Sequence, residues 1–199
     1  MDERSVSSNV RKHLSRNPLM QRLIGGFYAR LLDLLDELPF ESLLDAGCGE
    51  GFSLVRLQAR YPRAALVGAD ASPEALRHHL FPSGVARLRG DVARLPFADR
   101  SFDVVLATEV LEHLPAPRDG LRELLRVSRR HVVVTVPNEP YFRLANLLRG
   151  KNVAAWGNDP GHIQHWSRRG FADLVGSECA VLRTATAFPW TLVAAQRRD

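Results

Sequence analysis

Glu109, Glu112 and His113 stand at i, i+3 and i+4 in the run Thr108-Glu109-Val110-Leu111-Glu112-His113-Leu114-Pro115. On a helical turn that spacing projects the three side chains from one face. Two carboxylates beside an imidazole can hold a divalent cation, or the imidazole can serve as a metal-free general base. The structural alternative is a carboxylate that stabilises a helix start or orients the histidine. Two further histidines, His162 and His165, follow in Gly161-His162-Ile163-Gln164-His165-Trp166-Ser167. A second chemistry is carried by Leu43-Leu44-Asp45-Ala46-Gly47-Cys48-Gly49-Glu50-Gly51. Its three alternating glycines leave the backbone open to close approach by a ligand. Dinucleotide sites space their glycines G-x-G-x-x-G to bring pyrophosphate to a helix N-terminus, whereas this turn reads G-x-G-x-G behind an acid. Asp45 would repel phosphate and suits an ammonium group, so an amino-acid-bearing cofactor is expected rather than NAD. Asp70, about 25 residues beyond Asp45, sits close to the spacing at which an acid in such folds binds ribose hydroxyls.

These groups need a scaffold that brings distant loops together. Strands are expected at 42–46, 65–69, 85–88, 103–107 and 131–136, with helices at 52–60, 73–80 and 118–128 between them. Runs such as Val104-Val105-Leu106 and Val132-Val133-Val134 are continuously apolar, as in parallel strands buried on both faces. A doubly wound α/β sheet follows, and right-handed crossovers place every ligand-bearing loop along one sheet edge. The first 17 residues are polar and lack an apolar period. From Leu19 to Leu38 apolar residues return at helical spacing, between the turn signal Asn17-Pro18 and the breaker Pro39. At the other end, Ala180–Ala187 and Trp190–Ala195 flank Phe188-Pro189 and read as a hairpin.

Beginning at Asp45-Ala46-Gly47-Cys48-Gly49-Glu50-Gly51, the chain resembles the class I S-adenosylmethionine-dependent methyltransferases of the type 11 kind. Later motifs and the reversed final strand add to that resemblance, which covers roughly residues 40–136. It implies a Rossmann-like, seven-stranded sheet ending in an antiparallel hairpin strand. A single domain is expected: an N-terminal segment and covering helix (1–39), a cofactor-binding core (40–136), an acceptor-side insertion (137–166) and a C-terminal helix and hairpin (167–199). The implied cofactor residues are Asp45, Gly47, Gly49, Gly51, Asp70, Ala71, Asp91, Val92 and Thr108. Asp91 would accept from the adenine amino group beside the Val92 N–H, a pairing that suits an adenine edge. The Glu-x-x-Glu-His element is similar to two metal-assisted groups, the small-RNA 2′-O-methyltransferases and the ubiquinone-pathway O-methyltransferases. By that resemblance Glu109, Glu112 and His113 would hold Mg²⁺ or Mn²⁺ with His165, or His162, completing the site, and Glu112, His113 and His165 are the catalytic candidates.

The 199 residues suffice for one well-buried core, and 45% hydrophobic with 25% charged content is that of a globular protein. Met1 precedes a polar run rather than a signal-peptide core, and no apolar stretch nears the roughly 18 residues of a membrane span, so a cytoplasmic protein is expected. Cys48 and Cys179 read as buried, unreactive thiols. The net charge of +5 permits a polyanion partner, but the basic residues are scattered along the chain and read mainly as solvated surface. Trp156, Trp166, Tyr141, Phe142 and Trp190 are candidates for an apolar acceptor pocket. A small-molecule acceptor, methylated on a hydroxyl, is favoured. RNA methylation, N-methylation and a non-catalytic cofactor-binding protein stand as alternatives.

Overall fold

In the computed structural model the described residues are 8–78, 81–148, 150, 152–159 and 161–198. Seven strands form one sheet in the order β3-β2-β1-β4-β5-β7-β6. β1 (Ser42–Ala46), β2 (Ala65–Asp70), β3 (Ala86–Arg89), β4 (Phe102–Thr108) and β5 (Ser128–Pro137) are mutually parallel. β7 (Trp190–Gln196) runs antiparallel between β5 and β6 (Ala180–Ala187), closing the sheet with the expected hairpin.

Alternation along each strand feeds two cores, one on each face. Leu43, Val104, Leu106 and Val133 pack under Leu31 and Leu35 of α2 (Pro18–Asp36) and Leu54 and Leu57 of α3 (Phe52–Arg60). Their neighbours Leu44, Val105, Val132 and Val134 face Leu121 and Leu124 of α5 (Pro117–Val127) and Phe171 and Val175 of α7 (Arg168–Glu178). Each such leucine contributes about 1.5–3 kcal/mol of burial. α2 starts where Asn17 Oδ1 accepts from the Leu19 and Met20 amides at 2.9 and 3.4 Å, with Pro18 in the first turn.

Two features depart from expectation, and the insertion holds the helix that its sequence suggests. Residues 8–13 form a short helix, α1, where the polar sequence carries no period, while residues 1–7 lie outside the described set. The helix expected over 73–80 is a single turn, α4 (Pro73–Leu76), started by Ser72 accepting from the Ala75 amide at 3.1 Å; residues 79 and 80 lie outside the described set. The insertion over 137–166 contains a two-turn helix, α6 (Tyr141–Leu148), and a 3-10 turn at Val153–Ala155. Strand order reverses beside β1, where the chain leaves β3 at one edge and returns as β4 on the opposite side of β1. Ligands bind at such a reversal, outside the carboxyl ends of the strands.

Candidate active site

The glycine turn leaves β1 at that reversal. Gly47, Gly49 and Gly51 take φ of +81°, +53° and +84°, the left-handed region open to glycine. The Gly47 and Cys48 amides donate to the Ala69 carbonyl at 2.7 and 3.0 Å. Asp70 clasps the turn from β2: one carboxylate oxygen accepts from the Gly49 amide at 2.7 Å and the other from the Ser72 amide at 2.8 Å. Asp45 is fully buried behind the turn, and neither of its carboxylate oxygens has a hydrogen-bond partner. Burial, and then the charge of Asp70, push its pKa up to about 7. A buried acid without a donor fits a cationic ligand group in chemistry.

The turn after β4 differs from the helical face expected of it. Glu109 is itself left-handed, at φ +54°, so the 3-10 turn begins only at Leu111 and ends at His113. Such a backbone in a non-glycine residue costs on the order of 1–3 kcal/mol and is held by its surroundings. The Glu109 amide donates to the Thr135 carbonyl at 3.0 Å. Its carboxylate accepts from Trp190 Nε1 at 2.8 Å and pairs with the Lys12 ammonium. Burial works to raise the Glu109 pKa, but the Lys12 charge and these hydrogen bonds outweigh it and hold the group below the ordinary carboxylate range. Glu109 is therefore spoken for, and it lies outside the three-residue cluster that the fold assembles.

That cluster is Glu112, His113 and His162, each offering one ligand atom within 4.8 Å of the others. Glu112 is 1% exposed, and both its carboxylate oxygens lack hydrogen-bond partners. Burial, reinforced by the Glu109 charge, raises its pKa well above the ordinary value. The Glu112 carbonyl accepts from the Ile163 and Gln164 amides at 3.0 and 3.1 Å, which pins the insertion against this turn. His113 places Nδ1 2.7 Å from the Gly161 carbonyl, so Nδ1 donates there and Nε2 is the ring nitrogen left for a ligand. His162 packs edge-on to the His113 ring, centroids 5.0 Å apart, and burial followed by the His113 charge lowers its pKa to about 4. It is neutral at physiological pH. His165, expected to complete the set, instead stands 3.7 Å from the buried Glu139 carboxylate. The return of the insertion, fixed by a parallel bridge of Asn138 to Trp166 and by the Glu139 amide on the Trp166 carbonyl, leaves His162 buried and His165 exposed.

A cavity of about 690 Å³ joins the two regions. Gly47, Gly49, Ser72 and Thr108 line it on the glycine side, His113, His162, Phe142 and Asn146 on the insertion side, and Trp190 between. Asp91 is solvent-exposed and accepts from the Ala93 amide at 2.9 Å; it, Val92, Ala71 and Gly51 do not border this cavity, Asp45, Asp70 and Glu112 stand behind its wall, and His165 lies off it. Of the five aromatics proposed for a pocket, Phe142 and Trp190 line it, Trp166 packs toward the second core, and Tyr141 and Trp156 are exposed.

The N-terminal helix supplies a wall that its sequence does not advertise. Asn9 Nδ2 donates to Glu50 Oε2 at 2.5 Å, Lys12 reaches Glu109, and the His13 ring stacks on Phe52 at 4.2 Å. His13 Nδ1 donates to the Asn9 carbonyl at 3.0 Å, leaving Nε2 to accept from the Tyr28 hydroxyl at 2.9 Å. Burial, then the Lys12 charge, lowers the His13 pKa to about 4. Both thiols are buried and free, and burial pushes Cys48 up and Cys179 up to about 11.

Residues 44–135 match a methyltransferase domain family. The malonyl-[acyl-carrier protein] O-methyltransferase of Herminiimonas arsenicoxydans is 37% identical over 119 residues, which are 58% of this chain and 45% of the relative. The chain thus spans less than half the length of that relative. Among solved structures, the PH0226 protein of Pyrococcus horikoshii OT3 superposes with a TM-score of 0.71 at 17% identity, over 92% of this chain and 93% of the other. The magnesium protoporphyrin IX methyltransferase of Synechocystis PCC 6803, solved with bound SAH, gives 0.65 at 20% identity over 92% and 88%. The sheet order and its reversed last strand are those of the class I methyltransferase fold, and the segment 44–135 that matches a methyltransferase domain spans its first five strands.

Proposed function

We propose that the protein transfers a methyl group from S-adenosylmethionine to a hydroxyl of a small-molecule acceptor. The observation that carries this reading is one cavity bordered by the glycine turn on one side and the His113 and His162 rings on the other. The orphaned Asp45 carboxylate suits the ammonium of the cofactor's amino-acid end, Asp70 suits its ribose, and Asp91 with the Val92 amide suits its adenine. Each is a proposed contact.

We further propose that Glu112, His113 and His162 hold a divalent ion. The partnerless oxygens of Glu112 and two imidazoles with open lone pairs fit an O/N-ligated metal such as Mn²⁺ or Mg²⁺. When bound, such an ion lowers the pKa of a coordinated hydroxyl. The chain's own part is to keep the ligands ready: the Gly161 carbonyl fixes the His113 tautomer, burial keeps His162 neutral, and the Lys12 and Trp190 contacts keep Glu109 from competing for the cation. Glu109 and His165 leave the ligand set.

Calorimetric titration of Mn²⁺ into protein saturated with S-adenosylhomocysteine tests the ligand set. Binding is expected in wild type and in His165→Ala, and lost in Glu112→Ala and His162→Ala. Equal binding in all four would remove the site. An absence of binding throughout, with methyl transfer retained, would leave His113 Nε2 as a metal-free base. Transfer of radiolabelled methyl to a panel of diols, catechols and amines tests the activity, and the account expects label on oxygen.

A further inference from the structure

Exposed apolar side chains flank, along the sequence, residues of the cavity wall. Among the described residues, six of the eleven large apolar residues left exposed are immediate sequence neighbours of a residue on that wall: Leu14, Leu19, Tyr141, Leu144, Ile163 and Phe188. Two segments carry four of them. The α1–α2 stretch alternates Leu14 and Leu19 outward with Ser15 and Met20 inward, and α6 alternates Tyr141 and Leu144 outward with Phe142 and Ala145 inward. Trp156, 76% exposed, extends the α6 side, where its carbonyl accepts from Arg143 Nε at 3.3 Å. Tyr141 and Phe188 adjoin, ring centroids 6.2 Å apart, and exposed apolar side chains grouped beside a pocket suit a docking surface.

Charge follows the same map. The described residues of 8–23 and 141–157 include five basic side chains, Arg11, Lys12, Arg16, Arg22 and Arg143, and no acidic one. The whole chain has 27 basic and 22 acidic residues, so these five equal its entire net charge. Lys12 is engaged with Glu109, whereas Arg11, Arg16 and Arg22 are exposed and form no ion pair among the described residues. Arg11 and Lys12 line the cavity beside Glu50, Glu109 and Asp159, and the exposed Arg16 and Arg22 follow in the same stretch of chain.

We infer that the cavity mouth docks on an anionic lipid surface, from which an acceptor with an apolar tail enters hydroxyl first. Leucine and aromatic side chains interleaved with arginine suit the boundary between headgroups and acyl chains. A nucleic acid would be served by the arginines but not by Leu14, Leu19 or Leu144. No helix among the described residues is long and apolar enough to cross a membrane, so the contact is peripheral. The docking itself is independent of the methyltransferase reading; only the description of the entering molecule as acceptor rests on it.

Cosedimentation with vesicles tests the docking, using phosphatidylcholine alone and an equimolar mixture with phosphatidylglycerol. Wild type is expected to pellet with the mixed vesicles and to stay in solution with the neutral ones. Arg16→Gln with Arg22→Gln should lower the partition constant about fivefold for each charge removed, and Leu14→Ser with Leu144→Ser should lower it severalfold at unchanged charge. Binding of S-adenosylhomocysteine, measured on the same samples, should be unchanged in both variants. Absence of wild-type partitioning, or partitioning insensitive to both variants, overturns the proposal, as does preference for a single-stranded RNA oligonucleotide over the mixed vesicles. A wild type that binds vesicles but not S-adenosylhomocysteine would sink the cofactor reading and leave the docking standing.

Discussion

Asp45 is a buried carboxylate whose ionisation weakens the fold. Its carboxyl titrates near pH 7 in the fold against an ordinary value of 3.8. Between about pH 4 and 7 the folded state therefore keeps a proton that the unfolded chain releases, and stability falls as pH rises through that window, by up to about 4 kcal/mol. Asp45→Asn removes the ionisation. The variant should unfold at clearly higher urea than wild type at pH 8, by about 1–3 kcal/mol or more, and the gap should narrow through pH 5 and close near pH 4. It should also bind S-adenosylmethionine at least tenfold more weakly. A wild-type stability that is flat between pH 5 and 8 would show that the buried acid is compensated within the protein. That Asp45, Asp70 and the glycines meet at one turn could be read from the sequence, because an acid and alternating glycines at a strand end are local signals. Glu109 could not: i, i+3, i+4 spacing assumes a continuous helix, and the left-handed backbone at Glu109, held by Thr135, Trp190 and Lys12, breaks that face. The same is true of His162 against His165, whose separation depends on how the insertion returns to β5.

Among elements, the two ligand turns are mechanically joined. A Cβ on Gly47 would lie 2.4 Å from Val110 Cγ2, one residue before the 3-10 turn that holds Glu112 and His113. Gly47→Ala should therefore displace both turns and add left-handed strain of about 1–2 kcal/mol. Cofactor and Mn²⁺ affinities should fall together. Adding Val110→Ala should relieve the contact and restore metal affinity more fully than cofactor affinity, because the strain at φ +81° remains. Independent loss of cofactor affinity alone, measured by calorimetry, would contradict the coupling. Strands and helices were legible because continuous apolar runs, helical apolar spacing and Pro or Gly punctuation are local signals, as in α3 and β1, whose observed bounds coincide with the expected ones. α1 was not, since its six residues gain their helical form from tertiary contacts of Asn9, Lys12 and His13 rather than from an apolar stripe.

For the whole molecule, the sheet reversal beside β1 decides what the parts can do together. It sets the glycine turn and the Glu112 turn side by side, while α1 and α6 close the remaining sides and carry the exposed apolar and basic groups outward. The central claim is that this cavity is built around S-adenosylmethionine. Calorimetric titration of S-adenosylhomocysteine into wild type, Asp70→Ala and His165→Ala tests it most directly. The account predicts one site per chain with micromolar affinity in wild type and His165→Ala, and a loss of at least tenfold in Asp70→Ala, whose carboxylate clasps the Gly49 amide. Absence of binding by wild type, or equal binding by all three proteins, would contradict it.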